Sequence, residues 1–310
     1  MKHLLTLSDI NYLTCGLTLY ESLSETASCD FTLHYLAMDS DVKKKLEELN
    51  KDNIVIYTLD DLESEDFEKL KVNNTSSEEE SRKGHSAFHF MLSSFFTHYI
   101  MNKVDCEDVL YIDSDILFYR DVNIIFNTME KSVGLITHKH IRLDKTTRNP
   151  GYYNVGVVYF KNDSVGNDCL NFWRDCCIYS DNKYSQIFGA CWDQKYLELF
   201  GDEFGEDNIQ NLCLTVGNGA PWNFTLFTFL DSNQIIWNDY SGNVLDAGTS
   251  IEQDLVFNHF SHFSPNYEAC TYSMDRQGEW GPYVKIHPGV VDLYDDYFNK
   301  LILTREKYSL

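Results

Sequence analysis

The amino-acid sequence predicts an α/β fold in which a mixed, mostly parallel sheet is flanked by helices and followed by a less regular C-terminal extension. Three observations predict it. Segments with the two-residue period of strands alternate with segments of helical period through the first half of the chain. Polar turns follow several strands, and in such sheets ligands bind beyond the carboxyl ends of the strands. The 310 residues contain no internal repeat and no linker-like stretch, so one domain, residues 1–310, is expected.

In the first third of the chain the predicted elements alternate strictly. They are a strand at His3–Ser8, a helix at Tyr12–Leu23, a strand at Phe31–Met38, a helix at Asp41–Leu49, a strand at Ile54–Tyr57 and a helix at Ala87–Met101. Asp41 is the predicted N-cap of its helix. The polar stretch Val72–Ser86 has no apolar period and predicts a loop.

Later segments are less regular. The predicted elements are strands at Val133–Thr137, Tyr152–Phe160, Gln234–Trp237 and Leu255–Phe263, helices at Ser164–Tyr179 and from Trp192, and a polar loop at Arg142–Pro150. Gly156 interrupts one of these strands. A glycine there often marks close approach by a ligand or another backbone.

The composition is that of an acidic globular protein, with 43% hydrophobic residues and a formal net charge of -23. This charge argues against nucleic acid and anionic membrane surfaces as partners, because both require a basic surface. No apolar run approaches the roughly 20 residues of a membrane helix, so no membrane insertion is expected. The nine cysteines include no C-x-x-C pair and no basic, apolar leader is evident, which favours reduced thiols and a cytoplasmic location.

The most informative stretch is Asp108–Phe118, an apolar run that carries two carboxylates two positions apart. In a single strand Asp113 and Asp115 share a face, and like charges held so close favour a cation between them. Carboxylate oxygens suit Mg²⁺ and Mn²⁺, which keep positions open for substrate phosphates. A strand that ends in a solvated acidic turn is the alternative interpretation.

Four further patterns accompany this pair. They are Ser8-Asp9-Ile10-Asn11-Tyr12 after the first strand, Asn154-Val155-Gly156, Asp193-Gln194, and Val256–Phe263 with two histidines. Tyr12 can stack on a pyrimidine while Asp9 and Asn11 offer hydrogen-bonding groups, although a helix-capping turn explains the same residues. In this order and spacing the patterns resemble the retaining glycosyltransferases of family 8, and the resemblance covers most of the chain.

The resemblance implies a GT-A fold and metal-dependent transfer of a hexose or pentose from a nucleotide-diphosphate sugar, UDP-sugar first, to a hydroxyl of a saccharide or other acceptor, with retention. The donor would be held by Ser8, Asp9, Asn11, Tyr12, Asp113, Ser114, Asn154 and Gly156. Asp113, Asp115 and His259 would bind Mn²⁺, or alternatively Mg²⁺, with His262 competing with His259. Asp193 and Gln194 would act at the sugar. Residues 1–160 would form the nucleotide and metal half, and residues 161–310 the acceptor half. Whether the protein forms a homo-oligomer is left open by the sequence.

The sequence also departs from the family. Pro265 stands where relatives have a diphosphate-binding lysine, and Ala87–Met101 lacks their arginine. Lys285, Arg276 or the metal alone are the candidates to replace the lysine, and Arg82 and Lys83 are the candidates to replace the arginine. The aromatic candidates for an acceptor sugar, each equally explained by core packing, are Trp222, Trp237, Trp280, Tyr267, Tyr272 and Tyr283. A sugar-nucleotide-binding protein without catalysis is one alternative function. A metal-dependent phosphohydrolase is another, but it leaves Tyr12 and the Asp193-Gln194 pair without a role.

Overall fold

The computed structural model describes residues 1–74, 81–138, 151–179, 193–224, 227–231, 234–238, 250–275 and 288–310. Within these ranges the helices are α1 (Leu13–Thr26), α2 (Ser40–Leu49), α3 (Glu65–Asn74), α4 (Ser81–Lys103), α5 (Asn123–Thr128), α6 (Ser164–Ile178), α7 (Phe200–Phe204) and α8 (Pro288–Tyr308). Short 3-10 helices occupy Leu59–Leu62, Gln194–Leu199, Glu206–Asn208 and Leu212–Leu214.

The strands follow the same chain order. They are β1 (Lys2–Ser8), β2 (Phe31–Ala37), β3 (Ile54–Thr58), β4 (Asp108–Ile112), β5 (Ile116–Phe118), β6 (Val133–Thr137), β7 (Tyr153–Lys161), β8 (Ile209–Asn211), β9 (Gly217–Gly219), β10 (Phe227–Asp231), β11 (Gln234–Asn238), β12 (Ser250–His259), β13 (Ser264–Asn266) and β14 (Thr271–Ser273).

The main sheet has the order β3-β2-β1-β4-β7-β6-β8. All its pairs are parallel except those of β7, which runs antiparallel to β4 and β6. Alternate residues of β1 and β4 pack on opposite faces: Leu4 lies in a core with α1 and α8, and Leu5 lies in a core with α4 and α6. Both faces are therefore covered by helices, and the mixed, mostly parallel α/β sheet predicted from the sequence is confirmed.

A second sheet has the order β10-β11-β12-β5, and β9 also pairs with β12, opposite β5. Three residues, between β4 and β5, connect this sheet to the first. A two-stranded β13–β14 hairpin follows. These short strands form the less regular C-terminal part. The C-terminal helix α8 returns to pack on α1 at the other end of the sequence.

Three predictions about local structure were wrong. The N-cap of α2 is Asp39, whose side chain accepts hydrogen bonds from the backbone of Asp41 and Val42, so the helix begins earlier than expected. The stretch Val72–Ser86 is not simply a loop, because α3 continues to Asn74 and α4 begins at Ser81. The helix expected from Trp192 is a 3-10 helix at Gln194–Leu199. Trp192 itself and the predicted loop at Arg142–Pro150 lie outside the described residues.

Two further corrections bear on the site. Asp108–Phe118 is not one strand, because Asp113–Asp115 form a turn between β4 and β5, so strand alternation does not bring the two carboxylates together. The strand predicted at Leu255–Phe263 ends at His259, and His262 lies beyond it with a left-handed backbone, φ 63.

Candidate active site

The candidate site lies where the carboxyl ends of β1 and β4 meet. These strands are parallel neighbours, with Leu4 opposite Leu110, so the turns that follow them leave the sheet side by side. The turn after β1 holds Asp9 to Tyr12, and the turn after β4 holds Asp113 to Asp115. The antiparallel strand β7 begins at the same edge and supplies Asn154 and Gly156. The edge predicted to bind ligands is thus the one that collects these polar residues.

Asp113, Asp115 and His259 form a group that can hold a metal ion. One ligand atom from each residue lies within 4.8 Å of the others. His259 Nε2 is 3.0 Å from Asp115 Oδ1 and 3.8 Å from Asp113 Oδ2. The Tyr111 hydroxyl donates to Asp113 Oδ1 at 2.9 Å and orients that carboxylate. Two carboxylates and one imidazole are a donor set that Mn²⁺ accepts readily and that Mg²⁺ tolerates.

Pairing between distant segments fixes this group. β12 pairs antiparallel with β5, with His259 opposite Ile116. The Phe260 N–H donates to the Asp115 carbonyl at 2.9 Å, and the Asp113 N–H donates to the Gly156 carbonyl at 2.8 Å. The Asp113–Asp115 turn is therefore tied to β12 on one side and to β7 on the other.

Gly156 lets the imidazole of His259 approach the backbone of β7. A Cβ at position 156 would lie 2.5 Å from His259 Nδ1 and 2.6 Å from Asn154 Oδ1, closer than Cβ atoms are found to neighbours. Since Nδ1 faces this backbone, the opposite ring nitrogen, Nε2, is the one directed at the carboxylates. The sequence predicted close approach by a ligand or another backbone at Gly156, whereas in the structure the side chain of His259 makes the close approach.

The electrostatics of the group reflect a shortage of positive charge. Burial raises the pKa of Asp113 to about 6, with the charge of Asp115 adding to the shift and His259 opposing it. Burial acts in the same direction on Asp115, but the charge and hydrogen bond of His259 lower the pKa of Asp115 below its ordinary value. Burial lowers the pKa of His259, and the two carboxylates more than offset it, so that the His259 pKa is raised. A divalent cation would stabilise both carboxylates in their charged form.

Asn154 connects the metal-binding group to Gln194. Its Oδ1 accepts from the Gly156 N–H at 2.8 Å, which closes the irregular start of β7. Its Nδ2 donates to Gln194 Oε1 at 3.4 Å and lies 3.4 Å from His138 Nε2. The His138 ring in turn packs against Trp222, which packs edge-on against His259 with ring centroids 5.3 Å apart. Gln194 is thus connected to the metal-binding group through the side chains of Asn154, His138 and Trp222.

Asp193 is buried beside this group and is held by a neutral donor. The Ser93 hydroxyl of α4 donates to Asp193 Oδ2 at 2.8 Å, and the Trp173 indole N–H donates to the Asp193 carbonyl at 2.9 Å. Burial raises the pKa of Asp193 to about 7, opposed by the Ser93 hydrogen bond and increased by the charge of Asp113. A carboxyl group in this state can both donate to and accept from a ligand hydroxyl.

The turn after β1 is organised by Asp9. Its Oδ1 accepts from the backbone N–H of Asn11 at 3.0 Å and of Tyr12 at 3.1 Å, and its Oδ2 accepts from Asn11 Nδ2 at 3.0 Å. The turn presents Tyr12, 39% exposed, at the surface. Ser8 is buried, with its hydroxyl 2.7 Å from the Tyr35 hydroxyl, and Ser114 is also buried. The Asp9 carboxylate is therefore hydrogen-bonded within the turn, and Ile10, Asn11 and Tyr12 are the exposed residues of that turn.

His262 does not join the metal-binding group. Its Nδ1 lies 3.7 Å from Asp275 Oδ1, and its charge contributes to lowering the pKa of Asp115 without its ring belonging to the ligand set. Pro265, at the position of the family's lysine, lies in β13. Arg276 and Lys285 are outside the described residues, as are Trp280 and Tyr283, and the side chains of Arg82, Lys83 and Trp237 are not described. Of the other aromatic candidates, Trp222 is buried, Tyr267 packs on Phe298 and under the Arg305 guanidinium, and Tyr272 packs against Phe263.

Sequence reasoning missed Ser93 and His138. Ser93 and its neighbour Ser94 sit in an otherwise Phe- and Leu-rich helix, and two adjacent small hydroxyls there are the available signal. His138 directly follows β6 and therefore lies at the same edge of the sheet as the other motifs. A single histidine after a strand does not by itself predict a functional site, because the residues it contacts in space are not known from the sequence.

No helix in the described part of the chain is long and apolar enough to cross a membrane. Compared with known proteins, the chain is 28% identical over 257 residues to YfnF, an uncharacterized protein of Bacillus subtilis (strain 168), covering 80% of this chain and 77% of YfnF. Its similarity to YfnD of the same organism is 24% over 255 residues, covering 78% and 73% of the two chains.

Solved structures share the fold at low sequence identity. The galactosyltransferase LgtC, solved in complex with donor and acceptor sugar analogs, matches with a TM-score of 0.50 at 14% identity over 84% of this chain and 87% of that one. Mouse xyloside xylosyltransferase 1 matches with a TM-score of 0.51 at 15% identity over 83% and 97%. These neighbours identify the fold as GT-A. The sequence profile of glycosyl transferase family 8 matches residues 3–171, more than half of the chain. The chain therefore belongs to glycosyl transferase family 8.

Proposed function

We propose that this protein transfers a sugar from a UDP-sugar to a hydroxyl acceptor, with retention of anomeric configuration and with Mn²⁺ as the preferred metal. The observation that carries the proposal is the convergence of Asp113, Asp115 and His259 with the Asn154–Gln194 contact at one edge of the sheet. A glycosyltransferase needs a site for a diphosphate and a site for a sugar within a few ångströms of each other, and these two clusters provide them.

The residues present fit a divalent ion. Three ligand atoms already lie within 4.8 Å of one another, and the glycine at 156 leaves room for the imidazole that completes the set. Bound there, Mn²⁺ or Mg²⁺ would act as a Lewis acid that stabilises charge on the departing diphosphate. In a protein of net charge -23 it would also supply the attraction that an anionic donor needs.

The protein's own residues then divide the remaining work. Tyr12, which is partly exposed, would stack on the uracil ring, and the hydrogen bonds of Asp9 hold the backbone of Tyr12 in the turn. On the sugar side, the neutral oxygen Gln194 Oε1 would lie beside the bond that breaks, and Asp193 would bind ring hydroxyls as donor and acceptor. The bond from the anomeric carbon to the phosphate oxygen breaks, the bond to the acceptor oxygen forms on the same face, and the acceptor proton goes to the departing phosphate.

This proposal divides the chain into two halves of one domain. Residues 1–160 would supply the nucleotide contacts and the metal ligands Asp113 and Asp115, and residues 161–310 would supply the third ligand His259, the pair Asp193 and Gln194, and the acceptor side. The saccharide or other hydroxyl acceptor would approach from the side of the C-terminal strands. Since every described cysteine is a free thiol, we also infer that the protein acts in a reducing cytoplasm.

The alternative, a sugar-nucleotide-binding protein without turnover, is favoured by Pro265, which offers no charge to the diphosphate. The deciding experiment incubates the protein with a panel of UDP-hexoses and UDP-pentoses in Mn²⁺ and measures UDP release, with GDP-sugars as a comparison. We expect release from at least one UDP-sugar, strongly reduced in Asp113→Asn and Gln194→Ala and preserved in the control His262→Ala. Binding of UDP without release from any donor would favour the alternative, and absence of binding would reject both.

A further inference from the structure

His138 is a buried histidine at the end of β6 whose hydrogen bonds define its chemical state. Its Nδ1 lies 3.1 Å from the Gly151 carbonyl oxygen, and its Nε2 lies 3.4 Å from Asn154 Nδ2. A carbonyl oxygen only accepts hydrogen bonds, so Nδ1 must carry a proton and donate it. In the neutral ring Nε2 is then the acceptor. His138 Nε2 therefore accepts a hydrogen bond from the Asn154 amide group rather than donating one to it.

Asn154 donates that hydrogen bond in only one orientation. Its carboxamide oxygen accepts the backbone N–H of Gly156 at 2.8 Å, so the two amide protons point the other way. One proton is available to His138 Nε2 and the second to Gln194 Oε1 at 3.4 Å. A rotation of the carboxamide by 180° would set a donor against the Gly156 N–H and set the carboxamide oxygen against the lone pair of His138 Nε2. Hydrogen bonds on both sides thus oppose rotation.

The orientation of Gln194 follows from that of Asn154. Since Asn154 presents an N–H, Gln194 must present its oxygen, because a flipped Gln194 would set one amide N–H against another. One lone pair of Gln194 Oε1 then accepts from Asn154 and the second remains for a ligand. We propose that His138 is a positioning residue which, through Asn154, fixes the Gln194 carboxamide with its oxygen rather than its nitrogen at the sugar site.

The surroundings hold the series in place. The His138 ring packs against Trp222 with centroids 4.8 Å apart, and the backbone N–H of His138 donates to the Tyr152 carbonyl at 2.8 Å. Glu198, in the same 3-10 helix as Gln194, accepts the Tyr152 N–H at 2.5 Å. The helix that carries Gln194 is thus anchored to the start of β7 beside the residues that His138 orients. The role of this orientation in catalysis rests on the proposed function, whereas the hydrogen bonds that fix the orientation do not depend on it.

The first test measures the geometry without activity. Long-range ¹H–¹⁵N NMR spectra of protein labelled with ¹⁵N-histidine, compared with the spectra of His138→Phe to assign the signal, report which ring nitrogen carries the proton. We expect the Nδ1–H tautomer for His138. The Nε2–H tautomer would overturn the inference, whatever the protein does.

The second test is a double-mutant cycle on UDP release or transfer. His138→Phe keeps a ring beside Trp222 but removes both hydrogen bonds, and we expect about a tenfold loss of kcat with little change in the affinity for UDP and Mn²⁺. In a Gln194→Ala background the same change should cost less than about twofold, because the group it positions is gone. His34→Phe, at another buried histidine of the main sheet, controls for loss of a buried imidazole and should leave kcat unchanged.

An equal loss from His138→Phe in both backgrounds would show a merely structural role and overturn the inference, as would an unchanged kcat. If the wild-type protein releases UDP from no donor, the proposed function fails, and the tautomer then decides the geometric inference by itself.

Discussion

Replacing Gly156 by alanine tests the geometry of the metal-binding group with the smallest available change. The added methyl carbon would lie 2.5 Å from His259 Nδ1 and 2.8 Å from His259 Cε1, whereas ordinary contacts begin at 3.4 Å. The imidazole must therefore retreat by about 0.9 Å, well beyond the tolerance of about 0.2 Å on metal–ligand distances. The same methyl would press on Asn154 Oδ1 at 2.6 Å.

Overpacking of this kind costs about 1–3 kcal/mol. Because the groups displaced are those that bind the ligand, we expect most of this cost in affinity, which corresponds to a loss of roughly tenfold to a hundredfold. Calorimetric titration with UDP in Mn²⁺ measures it, and the weak binding in chelator should not change.

Gly134→Ala is the matched control. It lies on the neighbouring strand β6, and its methyl would meet the flexible Met129 side chain, with Sδ at 2.7 Å. We expect this variant to bind UDP as the wild-type protein does. If Gly156→Ala also retains full Mn²⁺-dependent affinity, then the contact between His259 and the backbone of β7 is irrelevant to binding and the reasoning is refuted.

Three further predictions concern the charged residues of the site. Asp193→Asn should raise the midpoint of thermal unfolding, measured in chelator at pH 8. The pKa of Asp193 is about 7 in the folded protein and 3.8 in the unfolded chain. The wild-type protein therefore loses up to about 4 kcal/mol of stability as the pH rises between these two values. The gain should shrink toward pH 4, and a gain independent of pH would contradict burial of the charge. Mn²⁺ affinity should fall as pH is lowered through about 6, since Asp113 and His259 must lose protons to bind, and competition with protons is measured by titration at several pH values. His259→Ala should abolish Mn²⁺-dependent UDP binding while His262→Ala preserves it, and equal losses would place both histidines in the site.

The sequence predicted best those helices and strands whose formation depends on residues close to one another in the chain. The alternation of β1, α1 and β2 follows from hydrophobic period and turn residues that lie within a few positions of each other. Gly156 was also informative, because only a residue without a side chain permits so close an approach.

The sequence did not predict features that depend on distant partners. Ile116–Phe118 continues the apolar character of β4, and it forms a separate strand only because β12, more than a hundred residues later, pairs with it. The same pairing, rather than alternation along one strand, sets His259 beside Asp113 and Asp115. The N-cap of α2 was misplaced because Asp39, Ser40 and Asp41 are all capping residues, and their types alone do not choose among them.

The central claim is that this edge of the sheet is a metal-dependent nucleotide-sugar site. The most direct test is calorimetric titration of the protein with UDP and with GDP, each in Mn²⁺ and in chelator, repeated on Asp115→Ala. We predict that UDP binds in Mn²⁺, binds at least tenfold more weakly in chelator, and loses the Mn²⁺-dependent affinity in Asp115→Ala. If neither nucleotide binds in Mn²⁺, or if UDP binds equally well without metal and without Asp115, then Asp113 and Asp115 form a solvated acidic turn and the proposed site is wrong.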